Sequence, residues 1–531
     1  MLTSAGTRRA GLLVPLFSMP SSRSWGIGEI GDIPTMAAWM SSAGQRVLQL
    51  LPINEMPLHE TSPYSALSAM AIDPQFISIA DLEDFVALGG EPALEPDLRI
   101  HLEHARAAKT VDYALVRTLK ETVLRRSFAR FVADELETQT VRAEAFRAYV
   151  DAESWWLDDY ALFRALHAKY DEGPWSEWPE PLRRREPAAI AEARLALTRD
   201  ILYRQYLQWV AGTQWAAARS AVGDVAIWGD LPFMVSSDSA DVWARQDDFC
   251  FDVSVGVPPD AFSETGQDWN LPAYRWDVVR SGGYAWLRAR ARRNAALFDG
   301  YRVDHLVGFY RTYVRPLDGS GARFTPAEQA DQIALGEQVL AVFREPGAEI
   351  IAEDLGVVPP FVRESLERQA IPGYKVFRWE RAWHHEGQPF LDPAGYSPLS
   401  VATSGTHDTE PLAVWWATAP PEERHALRAI PSLCDRLSSQ ECLSAFEGDT
   451  LSAPLRDLLL ETLYGSSSML LILPIQDVFG WRDRINQPAT VNSSNWTWRL
   501  PWPVDRFNEE REALAVAGKL KKWAKNSRRS L

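Results

Sequence analysis

Eight short apolar runs, at 11–17, 46–53, 225–235, 299–306, 347–355, 373–379, 400–408 and 470–478, constrain this chain more than any other feature. Strands buried on both faces read as near-continuous apolar runs, and helical patterns separate most of these. That alternation predicts an α/β fold, a (β/α)8 TIM barrel. The interval between the second and third runs is far too long for one helix. It reads as a large, mostly helical insertion over 81–222, where Leu115, Leu119 and Val123 recur at helical spacing and 187–221 is rich in Ala, Leu and Arg after Pro187. We expect one catalytic barrel domain over 1–531, with 81–222 as an insertion subdomain beside its mouth.

Four segments place carboxylates at the ends of such runs: GDLPFMV at 229–235, YRVDHL at 301–306, IIAEDLG at 350–356 and SGTHDTE at 404–410. A barrel strand delivers the side chains at its C-terminal end to the catalytic rim, so Asp230, Asp304, Glu353 and Asp408 are expected to converge. Converging carboxylates suit glycosidic-bond chemistry, in which one attacks or supports an oxocarbenium-like carbon and another protonates the leaving oxygen. Residues two apart on a strand share a face, so Arg302 and Asp304 both point to the mouth and Val303 points away. A guanidinium beside a carboxylate favours its ionised state, which a nucleophile needs; the other reading of the pair is a structural ion pair. Of the adjacent Glu353 and Asp354 only one can face the mouth. Glu353, with the longer arm and a poorly solvated setting, is the candidate general acid, leaving Asp354 to orient backbone; a helix cap is the alternative for either. His407 and Asp408 are placed to bond sugar hydroxyls as the ring flattens. A His–Asp pair also suits a metal, but no His-x-His or His-x-x-Glu-His spacing accompanies it, and neither metal nor other cofactor is expected.

Composition narrows the partners. With 55 basic against 71 acidic residues the formal charge is −16, which argues against nucleic acid or an anionic membrane and fits a neutral substrate. The chain holds 22 Trp, whose rings can stack on pyranose faces; most are expected in the core, including the pairs Trp155–Trp156 and Trp415–Trp416. In Ser62-Pro63-Tyr64-Ser65 the proline fixes a turn and would present the Tyr64 ring as a platform at the catalytic face. Three scattered cysteines, Cys250, Cys434 and Cys442, make neither a disulfide framework nor a metal site, and point to a cytoplasmic location. Arg8 and Arg9 before GLLVPLFSM mimic a secretory leader, but Pro15 and the missing cleavage site make this the first strand. No run approaches the roughly 18 apolar residues of a membrane span. The basic tail KLKKWAKNSRRSL reads as a solvated helix end.

From about Gly11 to Arg499 the chain resembles the 4-α-glucanotransferases (amylomaltases, or disproportionating enzymes) of glycoside hydrolase family 77, in the α-amylase clan. The resemblance rests on PSSRSWGIGEIGD, SPYS, GDLPFMVSSDSADVWA, GVPPDAFSETGQDW, YRVDHLVGF, IIAEDLG, PGYKVFRW, GTHD and QDVFG, followed by NQPAT and NWTWR. It implies Asp304 as nucleophile, Glu353 as general acid and base, and Asp408 as transition-state stabiliser. Tyr64, Asp230, Arg302 and His407 match further donor-sugar contacts, and the FSETGQ loop at 262–267 implies that Glu264 and Gln267 shape the subsites. The implied reaction moves α-1,4-glucan segments between maltooligosaccharides by double displacement, with an α-1,4-glucan hydrolase as the alternative on the same site. The chain departs from the family pattern at Trp269-Asn270-Leu271-Pro272, in a shortened stretch between Gly308 and Gln332, and in GTHDTE; these changes bear on acceptor preference and leave the three carboxylates in place.

Overall fold

The structure, a computed structural model, describes residues 8–259, 266–437, 444, 446–488, 490 and 492–530. Twelve strands are found among them: β1 (Arg9–Leu13), β2 (Val47–Gln49), β3 (Ala226–Leu231), β4 (Phe249–Val257), β5 (Gln267–Tyr274), β6 (Gly300–Val303), β7 (Thr312–Pro316), β8 (Arg323–Thr325), β9 (Glu349–Ala352), β10 (Gly373–Val376), β11 (Ser400–Thr403) and β12 (Leu470–Pro474). Eight of these close a barrel in the order β1-β12-β11-β10-β9-β6-β3-β2, each neighbour pair parallel. Each expected apolar run coincides with one barrel strand, β1 beginning two residues before its run and the other seven lying inside theirs, and the strands are shorter than the runs. The run at 225–235 shows why. Its strand stops at Leu231; Ile227 and Trp228 belong to one core cluster, while Phe233, Met234 and Val235 are buried in a second that takes in insertion residues and Phe309, which Phe233 meets edge-on, so the apolar stretch serves two cores.

Between β2 and β3 lies the helical insertion, carried by the helices Glu83–Ala87, Pro96–Ala107, Tyr113–Phe131, Val141–Lys169, Pro187–Ala196 and Thr198–Ala221. Their ends follow local chemistry. The Asp112 carboxylate accepts from Leu115 N at 3.0 Å, Thr140 Oγ1 caps the long helix at Ala143 N, and Pro187 occupies the first turn where its missing N–H costs nothing. Leu119 and Val123 are buried and Leu115 packs at the core's edge. Val141–Lys169 and Thr198–Ala221 lie against one another.

The sequence reading did not include a second sheet. β5, β4, β7 and β8 form an antiparallel four-stranded layer, in that order, inserted after β3 and β6 and therefore on the mouth side. The expectation for the C-terminal tail is also corrected. The helix Arg511–Asn526 buries Leu520 and Trp523, and Arg529 is fully enclosed, donating to the carbonyls of Tyr464, Ser466 and Ser468. Only Lys521, Lys522, Lys525 and Arg528 of the basic run stay in solvent, because its Arg529 meets orphan carbonyls beside the start of β12. Cys250 and Cys434 are half-buried, while Cys442 lies outside the described residues. No described helix is long and apolar enough to cross a membrane.

Candidate active site

Barrel register assembles the site. Asp230 on β3 pairs with Arg302 on β6, and the ladder continues one rung past each strand: Asp304 N donates to Leu231 O and Glu353 N to Val303 O, both at 3.0 Å. Three carboxylates thereby ring one guanidinium. Arg302 Nη1 lies 2.9 and 2.8 Å from the two Asp230 oxygens and 2.7 Å from Asp304 Oδ1, and its Nη2 lies 3.8 Å from Glu353 Oε2. Glu353 is held by backbone: His305 N donates to Oε2 at 2.8 Å and Leu355 N to Oε1 at 2.9 Å. The first of these donors depends on strain, since His305 sits at φ +40°, in the left-handed region that non-glycine residues avoid. Asp354 turns the other way and accepts from Tyr374 N at 2.7 Å. Gly373 makes room for it, for a Cβ there would stand 2.7 Å from both Asp354 oxygens.

The opposite wall is Tyr64, His407 and Asp408. The Tyr64 hydroxyl donates to Asp230 Oδ2 at 2.7 Å and stands 3.0 Å from His407 Nε2, with the two rings stacked at 5.5 Å. His407 Nε2 is also 3.3 Å from Asp408 Oδ2. Exposure separates the carboxylates: the Asp230 side chain is 0% exposed, Asp304 25% and Asp408 40%. Asp304 and Asp408 thus open to the mouth and Asp230 is sealed beneath Tyr64 and Arg302.

Environment splits the acidities. Burial, reinforced by the charge of Asp304 and only partly offset by Arg302, pushes Glu353 up to about 7. Burial also raises Asp230. Burial works against the Asp408 carboxylate too, but His407 and the Asn486 amide outweigh it and bring Asp408 down to about 2. His407 responds in kind: burial lowers it, Asp408 more than compensates, and the net shift is upward. His305, buried and facing no such balance, falls to about 4. Environments that push Glu353 up to about 7 and hold Asp408 down to about 2 set a proton donor beside a carboxylate that stays charged.

Residues 14–505 match the family described as 4-alpha-glucanotransferase. The chain belongs to that family, glycoside hydrolase family 77. A 4-alpha-glucanotransferase from Thermus thermophilus is 33% identical over 93% of this chain and 95% of its own length. One from Chlamydia pneumoniae is 30% identical over 92% and 91% respectively. Among solved structures, the amylomaltase from Streptococcus agalactiae in complex with acarbose superimposes with a TM-score of 0.80 at 25% identity, covering 98% of this chain and 99% of that one.

Of the residues expected to form the site of this 4-α-glucanotransferase, Asp304, Glu353, Asp408, Tyr64, Asp230, Arg302 and His407 are brought together. Glu264 lies outside the described residues. Gln267 opens β5 and its Oε1 accepts from Trp269 Nε1 at 3.2 Å; Trp269 in turn meets His305 edge-on, so two residues, Trp269 and His305, stand between Gln267 and Glu353. Other members went unread. Asn486 Nδ2 donates to Asp408 Oδ1 at 2.6 Å, Arg484 Nη2 donates to Asp408 O at 2.6 Å, and Trp496, at φ +64°, lies against both Tyr64 and His407. NQPAT and NWTWR contain Asn486 and Trp496, and were the available signal. Among the described residues no group of three His, Cys, Asp or Glu side chains is arranged around a common metal position.

Proposed function

We propose that this 4-α-glucanotransferase moves α-1,4-glucan segments between maltooligosaccharides by retaining double displacement. Asp304 attacks the anomeric carbon and carries the glucan as a covalent intermediate while Glu353, protonated, gives its proton to the departing oxygen. Glu353, now a carboxylate, then takes the proton from the 4-hydroxyl of the acceptor as that oxygen attacks and frees Asp304. Asp408, His407 and Tyr64 hold hydroxyls of the donor sugar, and Asp408 supports the positive charge that develops on its ring. Asp230, sealed from the mouth, acts through the Tyr64 hydroxyl and the Arg302 guanidinium. Gln267 and Glu264 belong to the rim where the acceptor enters. One observation carries this reading: a single guanidinium shared by three carboxylates, one of which is pushed to about 7. We place the enzyme in the cytoplasm on its cysteine content, with maltooligosaccharides and α-1,4-glucans as donor and acceptor.

Incubation of the purified protein with maltotriose, with products separated by length over time, tests the proposal. Glucose together with maltopentaose and longer chains is expected. Glucose and maltose alone would mean that water intercepts the intermediate, and would replace transfer by hydrolysis.

A further inference from the structure

Away from the barrel mouth, a cavity of about 330 Å³ opens between the segment after β2 and the helices Tyr113–Phe131, Val141–Lys169 and Thr198–Ala221. Charged side chains dominate its lining, five cationic (Arg117, Lys120, Arg125, Arg164, Arg204) and four anionic (Glu55, Asp73, Glu121, Glu172). What matters is which of these are already engaged. Every carboxylate is. Glu55 accepts from Tyr160 Oη and from Arg164 Nε at 2.9 Å; Glu172 accepts from Arg164 Nη1 at 2.9 Å and lies 2.7 Å from His167 Nδ1. Glu121 accepts from Arg125 Nε at 2.7 Å and Tyr203 Oη at 2.8 Å; Asp73 accepts from Met56 N, Gln75 N and Gln75 Nε2 at 3.0, 2.9 and 2.8 Å. Lys120 is spent on Glu29 and two carbonyls, and Arg117 on the carbonyls of Leu58 and Glu60.

Arg125, 46% exposed, commits only its Nε, to Glu121; among the buried cations two keep unspent donors. Arg204 is 7% exposed and makes no hydrogen bond, its one charged neighbour being Glu55 at 3.9 Å. Arg164 is 3% exposed and commits Nε and Nη1, leaving Nη2 unbonded. No nitrogen of either residue is sealed in protein without a partner, so the unspent N–H groups open to the cavity that both residues border. With all the acids satisfied and two guanidinium faces unspent, the cavity's spare capacity is for negative charge. We propose that it is a binding site for a small phosphate-bearing molecule, its anion clamped between Arg204 and Arg164. Forked guanidiniums suit phosphate oxygens, and the volume admits a monosaccharide-sized body. No aromatic ring lines the cavity, so a neutral sugar would find no stacking platform there. The location gives the site a route to the catalytic face, since Arg117 grips Leu58 and Glu60 in the loop that carries Tyr64.

Isothermal titration of the full chain with inorganic phosphate, glucose 6-phosphate and glucose, alongside thermal melts with each, tests the site. Phosphate and glucose 6-phosphate are expected to bind and to raise the melting temperature, and glucose to do neither. Tighter binding of glucose 6-phosphate than of phosphate would identify a phosphorylated sugar; binding of phosphate alone would identify the free anion. Arg204→Gln should weaken anion binding at least tenfold; it also gives up the ion pair with Glu55 and the contact with the Tyr203 ring, so the anion-induced rise in melting temperature is read against the variant's own unliganded melt. Thr118→Glu, on an exposed rim position, should weaken it as well by adding a negative charge. Glucose binding as tightly as its phosphate, anion binding untouched by R204Q, or no anion binding at millimolar concentration would each overturn the proposal.

Discussion

In the helical insertion the fully enclosed Asp84 sits between Arg130 and Arg142 at 2.8 and 2.9 Å, with Tyr206 Oη donating at 2.7 Å; at the barrel mouth Arg302 alone faces Asp230, Asp304 and Glu353. Both clusters are buried and use the same residue types, and they differ in what each acid receives: Asp84 meets two guanidiniums, which also hold Glu135, and a tyrosine hydroxyl, whereas one guanidinium is divided among the three carboxylates of the mouth. Around Asp84 burial opposes ionisation, but Arg142, Arg130 and Tyr206 overcome it and the carboxyl ends below its ordinary range. Around Arg302 the donors run short, so Glu353 is pushed to about 7. An oversupplied acid is fixed in one protonation state and serves the fold. An undersupplied one keeps a proton that it can give away near neutral pH.

The comparison breaks most sharply at Asp304. Asp304→Ala removes the proposed nucleophile and should lower maltotriose disproportionation by on the order of 10⁴-fold or more, with little change in melting temperature, because a rim carboxylate that is 25% exposed contributes little to the core. Residual activity within tenfold of the parent would remove Asp304 from its role. Glu353→Gln should follow, with a loss of roughly 10²–10⁴-fold. The same residue sets a pH dependence. In the proposed mechanism donor cleavage needs protonated Glu353, so the rate should fall as pH rises above about 7. Stability has a matching sign: a carboxyl whose folded pKa lies above its unfolded value binds more protons when folded, so its contribution is lost as pH climbs from about 4.5 to about 7. Urea melts at pH 5 and pH 8 should therefore show a larger drop for the parent than for E353Q.

Asp84→Ala turns the comparison around. Two arginines lose the more deeply buried of the two acids they share, Glu135 remaining, and unfolding in urea should show a loss of about 3 kcal/mol. Turnover per folded molecule should stay within about twofold, since no residue of the mouth touches Asp84. A large fall in turnover with unchanged stability would mean that the insertion's cluster is not the structural counterpart described here.

How much of this was legible in the sequence follows from the same physics. Barrel strands are buried on both faces, so they announce themselves as apolar runs, and the residue after each run lands on the rim; Asp304 and Glu353 could be read from that alone. The mouth-side sheet could not. β5 alternates exposed and half-buried positions over Gln267–Leu271 and Phe251 and Asp252 of β4 face solvent, so each strand buries only three consecutive residues, Pro272–Tyr274 and Ser254–Gly256, too short a run to stand out. Asn486 was hidden for another reason: it reaches Asp408 from 78 residues further along the chain, and a polar residue in a loop has no periodicity to betray it.

Asn486 also supplies the finest test of the donor-to-acid ratio. Asp408 falls to about 2 although burial opposes this, because His407 and Asn486 both stabilise its charge. Deleting one donor should shift it part of the way toward the behaviour of Glu353. A hydrogen bond to a charged group contributes about 1.5–3 kcal/mol, so Asn486→Ala should slow transfer at least about tenfold, mostly in kcat if Asp408 supports charge that develops only in the transition state. The acidic limb of the rate profile should move to higher pH, since the carboxylate would then be protonated more readily. Arg484, bonded to the Asp408 carbonyl, keeps the loop in place in the variant, so a merely structural role for Asn486 predicts no movement of that limb. An unchanged acidic limb with a raised KM would assign Asn486 to shaping the groove instead of tuning Asp408.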